Sequence, residues 1–145
     1  MAKTKSKEVI VKITAEQLDS HGYHIFLNTK LDGKTCRFLI DTGASHSVID
    51  KKYFEKNFGN KNLKTIKQAT TGLHSSTTES YFGKIKEWKI GSLSIKNYTI
   101  AAVDLGHVNL TYGSIGKRKI HGILGSDILF KYKMRIDYGK QQLSF

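Results

Sequence analysis

Short apolar stretches separated by turn residues recur along most of this chain, and long amphipathic helical patterns are few. Apolar and polar residues alternate in several of these stretches, which is typical of half-buried β-strands. The predicted strands are residues 8–13, 23–31, 34–40, 47–49, 84–90, 93–95, 98–103, 120–124, 134–138 and 142–145. Asp32 and Gly33 separate the second strand from the third and are a strong signal for a tight hairpin turn.

Only two stretches predict helices. Asp50 can cap a helix over residues 51–57 that Gly59 closes, and residues 126–132 predict a second short helix. We assign residues 15–20 and 105–116 to a helical turn or a loop. Many short strands with few helices indicate a mostly β fold, a small barrel or closed sandwich with one or two short helices.

The length of 145 residues fits one domain. Residues 1–7 are polar and basic, and we expect a flexible tail there, followed by a domain over residues 8–145. We find no apolar run that could span a membrane and no hydrophobic signal segment, so we expect no membrane partner. The single cysteine, Cys36, cannot form an internal disulfide. We therefore expect a cytoplasmic protein in which Cys36 packs as a small apolar side chain.

The formal net charge of +12 requires nucleic-acid binding to be considered. The basic residues are spread along the whole chain, however, and only Arg37, Arg118 and Arg135 are arginines. Contacts to bases and bidentate contacts to phosphates favour arginine. The charge pattern therefore favours a solvated basic surface, and we do not expect nucleic acid as a partner.

Residues 37–45, Arg-Phe-Leu-Ile-Asp-Thr-Gly-Ala-Ser, contain the strongest candidate for chemistry. An apolar strand delivers the carboxylate of Asp41 to a tight turn, where Gly43 allows close approach of the backbone. A carboxylate at the end of a buried strand must be hydrogen-bonded, paired or neutralised. Taken alone, Asp-Thr-Gly is also compatible with an ordinary turn between two strands.

A second motif, Ile-His-Gly-Ile-Leu-Gly-Ser-Asp-Ile-Leu over residues 120–129, changes this balance. The two motifs together resemble the aspartic proteases, specifically their single-domain, retropepsin-like members. Those proteins have two apolar residues before Asp-Thr-Gly-Ala/Ser, and later two apolar residues and a glycine before a short helix. The resemblance covers about residues 9–145 and implies a small closed β-barrel of the acid-protease type.

The resemblance also implies the roles of individual residues. Asp41 is the expected catalytic carboxylate, Thr42 is expected to hydrogen-bond across the axis of a dimer, and the N–H of Gly43 is expected to bond the catalytic pair. Gly122 is expected to support the Asp41 turn, and Asp127 to tie down the interface at the short helix. His121 replaces an aliphatic residue, and it could be exposed or bond a neighbour.

Residues 68–82 are rich in threonine and serine, and they predict a long polar hairpin that resembles the flap of these proteases. Backbone groups at Thr71, Gly72 and Leu73 could bond a peptide laid out as an added strand. We assign these residues, with Ala44, to substrate binding. An ordinary exposed hairpin is the alternative.

Hydrolysis by carboxylates needs two of them close together, yet the chain contains one Asp-Thr-Gly. The simplest solution is a two-fold homodimer in which each subunit supplies its own Asp41. The histidines have no metal-ligand spacing, so we expect no metal and no cofactor, and His46 is predicted to point away from Asp41. We therefore expect an aspartic endopeptidase with a peptide or protein substrate. The alternatives are a catalytically silent module of the same fold and a basic nucleic-acid-associated protein.

Overall fold

The computed structural model describes residues 6–69 and 77–145. Its strands are β1 Ile10–Lys12, β2 Thr14–Gln17, β3 Tyr23–Leu31, β4 Lys34–Ile40, β5 Val48–Asp50, β6 Leu63–Ala69, β7 Thr77–Ile90, β8 Leu93–Val103, β9 Gly122–Leu124, β10 Arg135–Asp137 and β11 Gln142–Ser144. Its α-helices are α1 Lys51–Phe58, α2 Gly106–Ser114 and α3 Ser126–Lys131, with a 3₁₀ turn over Asn60–Asn62. Strands dominate, which confirms the mostly β prediction.

Six strands close into a barrel. They follow the order β3-β4-β9-β5-β8-β7, and the barrel closes because β7 also pairs with β3 through Leu31 and Trp88. β2 extends the sheet beyond β3, and β6 extends it beyond β7. The pairs β4–β9 and β5–β8 are parallel, so the strands before and after the Asp41 turn both lie at the centre of the sheet.

The hairpin between β3 and β4 forms as predicted. Asp32 and Gly33 have φ of +48° and +80°, the left-handed conformations that a two-residue type I′ turn requires. This turn pairs Leu31 with Lys34 and sets the register that pairs Leu27 with Phe38. The barrel interior is filled by large buried side chains, among them Phe38, Trp88 and Phe54. Cys36 is buried in the same core, as expected.

The helices agree with the sequence only in part. The side chain of Asp50 accepts a hydrogen bond from the backbone N–H of Tyr53 at the start of α1, and Gly59 ends this helix with a φ of +85°. The described residues contain three α-helices where one or two were expected, because residues 106–114 form a helix and not a single turn. Tyr112 of α2 packs into a second apolar cluster with Phe26.

Residues 15–20, expected as a helical turn or loop, are in part a strand, and that prediction is wrong for residues 15–17. Short residues 14–17 pair antiparallel with β3, so Ala15 lies opposite Ile25. The expected polar hairpin over residues 68–82 begins earlier, since β6 pairs with β7 from Leu63 opposite Gly83 to Ala69 opposite Thr77. Its central residues, with Thr71, Gly72 and Leu73, lie outside the described residues.

A separate three-stranded sheet has the order β1-β11-β10, which places the C-terminal strand in the middle. Backbone bonds between Val9 and Phe145 extend the β1–β11 pair. The turn between β10 and β11 contains the predicted Gly139, and Gln141 takes a positive φ of 48°. None of the helices in the described ranges is long and apolar enough to cross a membrane.

Candidate active site

Asp41 directly follows β4 at the centre of the sheet. Ile40 pairs with Leu124 of β9, and the backbone N–H of Asp41 donates to the carbonyl of Leu124 at 3.0 Å. Ile40 and Leu124 are buried, whereas Asp41 is partly exposed. The strand is therefore fixed on the core side, and the carboxylate is presented at the surface of the chain.

The turn after Asp41 is held by its own backbone. The N–H of Gly43 donates to Oδ1 of Asp41 at 2.9 Å, and the N–H of Ala44 donates to the carbonyl of Asp41 at 3.2 Å. A Cβ on Gly43 would lie 3.3 Å from Oδ1 of Asp41, which is a tight contact. This geometry orients one carboxylate oxygen. Thr42 is exposed at the tip of the turn.

The glycine that packs directly on this turn is Gly125, while the sequence had pointed to Gly122. A Cβ on Gly125 would lie 2.8 Å from the carbonyl oxygen of Ala44 and 2.8 Å from the carbonyl carbon of His46. The N–H of Ser126 donates to the same Ala44 carbonyl at 2.7 Å. Gly122 lies inside β9, where a Cβ would meet the Phe38 ring at 2.4 Å.

Asp127 ties the chain after the turn to α3 and β8. Its Oδ1 accepts from the backbone N–H of Ser47 at 3.0 Å and from Oγ of Ser47 at 2.7 Å, and its Oδ2 accepts from the hydroxyl of Tyr98 at 2.6 Å. Oγ of Ser47 also accepts from the N–H of Gly125 at 2.9 Å. Ser47 is only 1% exposed, so these bonds replace water for a buried hydroxyl.

The same network shifts two pKa values. Burial raises the pKa of Asp127, but the hydrogen bonds from Tyr98 and Ser47 outweigh it and leave this pKa below its usual value. Burial and the hydrogen bond to Asp127 raise the pKa of Tyr98. Asp127 is therefore charged and Tyr98 protonated over the whole physiological range, which keeps the bond between them intact.

His121 is half-buried and bonds a neighbour. The backbone N–H of Arg37 donates to its Nδ1 at 2.9 Å, and its own N–H donates to the carbonyl of Arg37 at 2.8 Å. Its ring lies 4.4 Å from the ring of Tyr53, measured between centroids. Burial, followed by the charge of Lys119, lowers the pKa of His121. The histidine thus joins β4, four residues before Asp41, to the start of β9.

A groove of about 750 Å³ lies beside the turn, between β7, β8 and the residues after the turn. Val48, Ala101 and Ala102 form apolar parts of its lining, and His46 and Ser47 lie on the side of the turn. The groove is wide enough for side chains of a bound peptide. His46 is exposed and lines this groove.

Sequence reasoning did not assign roles to Ser47, Tyr98 and Gly125. Gly125 could have been found, since it follows the apolar pair Ile123 and Leu124 directly before α3, the same pattern that was placed on Gly122. Ser47 and Tyr98 carry no such signal, because their partner Asp127 is distant in sequence. Within the described ranges, no three His, Cys, Asp or Glu side chains converge on a point that could hold a metal ion.

Solved structures with similar folds are retropepsin-like. A retropepsin-like aspartic protease from Rickettsia conorii has a TM-score of 0.58 at 20% identity, over 95% of this chain and 89% of that one. The retroviral protease-like domain of Ddi1 from Leishmania major has a TM-score of 0.50 at 14% identity, over 78% and 80%. The EIAV protease, complexed with the inhibitor HBY-793, has a TM-score of 0.51 at 17% identity, over 82% and 97%.

These likenesses confirm the expected retropepsin-like β-barrel. No curated protein matches the sequence. The profile of one sequence family, described as aspartyl protease, matches residues 27–128. This match covers more than half of the chain and includes both the Asp41 turn and most of the second motif. The chain therefore belongs to the aspartyl protease family.

Proposed function

We propose that this protein is an aspartic endopeptidase that acts as a homodimer with one Asp41 from each subunit. The observation that carries the proposal is the Asp41 turn itself. It presents one oriented, partly exposed carboxylate at the surface, supported from beneath by α3 and β9. A single carboxylate is half of the pair that this chemistry needs, and a two-fold axis beside the turn supplies the other half.

In the proposed mechanism, the two Asp41 carboxylates share one proton, because like charges about 3 Å apart cannot both ionise. The ionised carboxylate takes a proton from a water molecule, which attacks the carbonyl carbon of the scissile peptide bond. The protonated carboxyl group donates to the carbonyl oxygen as negative charge develops there. A proton then passes to the leaving nitrogen when the C–N bond breaks.

The surrounding residues have proposed roles in the same reaction. The N–H of Gly43 orients the carboxylate, and Thr42 bonds the partner's turn. Ala44 and the hairpin residues Thr71, Gly72 and Leu73 contact an extended peptide, and we propose that this hairpin acts as a flap. Asp127 holds the turn by way of Ser47, whereas Gly122 contributes through β9. We propose a cytoplasmic setting on the evidence of the single cysteine.

The test is cleavage of a mixed peptide library, read by mass spectrometry, with wild type and Asp41→Asn. We expect the substitution to abolish cleavage while leaving the circular dichroism spectrum unchanged. Asp19→Asn is the matched control, because Asp19 lies on an exposed turn and asparagine keeps an acceptor for the N–H groups of His21 and Gly22. Full activity in Asp41→Asn would refute the proposal.

A catalytically silent module remains the second candidate. Its supporting observation is the groove beside the turn, which is sufficient for binding a peptide without cleaving it. The same library distinguishes the two functions. Peptides that are retained by the wild type but never cleaved, at any pH between 4 and 7 where aspartic dyads titrate, would favour the silent module.

A further inference from the structure

The C-terminal strand is unavailable to a partner strand. β11 lies between β1 and β10 and pairs with both, and Leu143 at its centre is fully buried. Val9 and Phe145 exchange backbone hydrogen bonds of 2.7 and 3.0 Å in the same chain. A second copy therefore cannot add a strand to β11 without displacing one that is already paired. The sheet can grow only at β1 or at β10.

The β10 edge is continuous with the Asp41 turn. An apolar groove of about 570 Å³ is lined by Thr42 at the tip of the turn, by Leu129 and Phe130 of α3, and by Met134 directly before β10. Phe130 is 85% exposed, which is unusual for a large aromatic side chain. An axis that passes beside Thr42 therefore also passes beside this groove and the start of β10.

The sequence of β10 is self-complementary. Its three residues are Arg135, Ile136 and Asp137, with Ile136 between a positive and a negative side chain. If two copies pair antiparallel about Ile136, Arg135 of each copy lies opposite Asp137 of the other. Opposite charges in directly facing positions stabilise strand pairs by roughly 0.2–1 kcal/mol, and like charges destabilise them.

The other edge lacks this property. Antiparallel pairing of β1 about Val11 would place Ile10 opposite Lys12 of the second copy, without any charge complementarity. In addition, β1 lies on the far side of β11 from β10 and from Met134, and hence away from the Asp41 turn. The two edges are therefore not equivalent.

We propose that β10 and the groove beside Phe130 are the self-association surface of this protein. β10 of one copy pairs with β10 of a second copy about Ile136, which joins two three-stranded sheets into one of six strands. Phe130 and Met134 of each copy are covered in the same interface. The inference rests on the proposed homodimeric function and names the surface that brings the two Asp41 turns together.

The first test is disulfide trapping. Facing residues in an antiparallel pair have Cα atoms about 4.5–5.5 Å apart, which is within the range of a disulfide. Arg135→Cys and Asp137→Cys are prepared separately, mixed, and oxidised with copper–phenanthroline. We expect a disulfide-linked dimer in the mixture and little in either protein alone. The buried native Cys36 is present in all samples as an internal control.

The second test is charge exchange, followed by sedimentation velocity over a series of protein concentrations. Asp137→Arg should weaken the dimer at least severalfold, because two arginines would then face each other. The double variant Arg135→Asp with Asp137→Arg should recover most of the affinity. The double variant cannot restore the intrachain ion pair of Arg135 with Glu8, so recovery reports the contact between copies.

The third test concerns the groove. Phe130→Ser should weaken self-association without unfolding the chain, since the side chain is exposed. Leu110→Ser is the matched control, because Leu110 of α2 is 72% exposed and lies outside the groove. The surface is refuted if the mixture gives no crosslink and these variants sediment as wild type while Asp41-dependent cleavage persists. A monomer that never cleaves would refute the surface and the proposed function together.

Discussion

At the scale of single residues, His121 is the side chain whose protonation state matters for the fold around the site. Its Nδ1 accepts from the N–H of Arg37, and this bond requires an unprotonated Nδ1. Because burial lowers its pKa in the folded state, folding favours the neutral ring. The stabilisation is complete above the unfolded value of 6.5 and is lost as the pH falls towards the lower folded pKa.

We therefore predict that His121→Asn makes the free energy of unfolding less dependent on pH between about 7 and 5. Asparagine can offer an oxygen to the N–H of Arg37 but does not titrate. Urea unfolding would be measured in the Asp41→Asn background, so that self-cleavage does not interfere. His121→Ala serves as the comparison, since it removes the acceptor at every pH. An equally steep decline with pH in wild type and His121→Asn would contradict the assignment.

Other residues of the site owe their positions to partners that are far away in sequence. Asp41 and its turn could be recognised from nine consecutive residues. The bonds of Asp127 to Ser47 and Tyr98 could not, because they exist only after β5, β8 and α3 have packed together. A local pattern identifies a chemical group, while the shell that orients it is a product of the tertiary structure.

At the scale of elements, the sequence predicted best where local chemistry decides the structure. β3, β4 and the turn at Asp32 and Gly33 agree with their predicted bounds, since two left-handed residues fix the hairpin. Residues 14–17 carry no such local signal and become a strand by pairing with β3. Helix α2 was obscured because its N-cap, Leu105, makes no side-chain cap and the helix includes two glycines.

The contact between α3 and the Asp41 turn gives a prediction at this scale. Gly125 has φ of −99°, which other residues adopt readily, so any cost of Gly125→Ala comes from steric contact. The new Cβ would meet backbone atoms of Ala44 and His46 at 2.8 Å, and backbone cannot move away cheaply. We expect a loss of roughly 1–3 kcal/mol in the free energy of unfolding and a marked loss of cleavage.

The matched control for that substitution is Gly113→Ala in α2. A Cβ at Gly113 would meet nothing within 4 Å, and alanine is the better helix former by about 1 kcal/mol. Gly113→Ala should therefore be neutral or stabilising and should leave cleavage unchanged. Unfolding free energies and initial rates of the two variants would be compared directly. Equal stabilities would show that the turn gives way easily and that Gly125 is not a tight support.

At the scale of the whole molecule, the net charge of +12 opposes self-association. Two such charges about 30 Å apart repel by roughly 20 kcal/mol in water without salt, and by about 1 kcal/mol at 0.1 M salt. Screening therefore makes a dimer accessible at physiological ionic strength. The residual repulsion still has to be offset by local contacts, for which the apolar side chain of Phe130 and the opposite charges of Arg135 and Asp137 are suited.

If each active site needs Asp41 from two subunits, inactive chains must poison active ones. We predict that adding an equal amount of Asp41→Asn protein to a fixed amount of wild type lowers the cleavage rate to about half, once subunits have exchanged at concentrations where dimers are complete. Half of the wild-type chains would then sit in mixed dimers with only one carboxylate. Asp19→Asn, added in the same way, should raise the rate, because it contributes active subunits. A rate that is unchanged by added Asp41→Asn would mean that one chain cleaves alone, and the shared site would have to be abandoned.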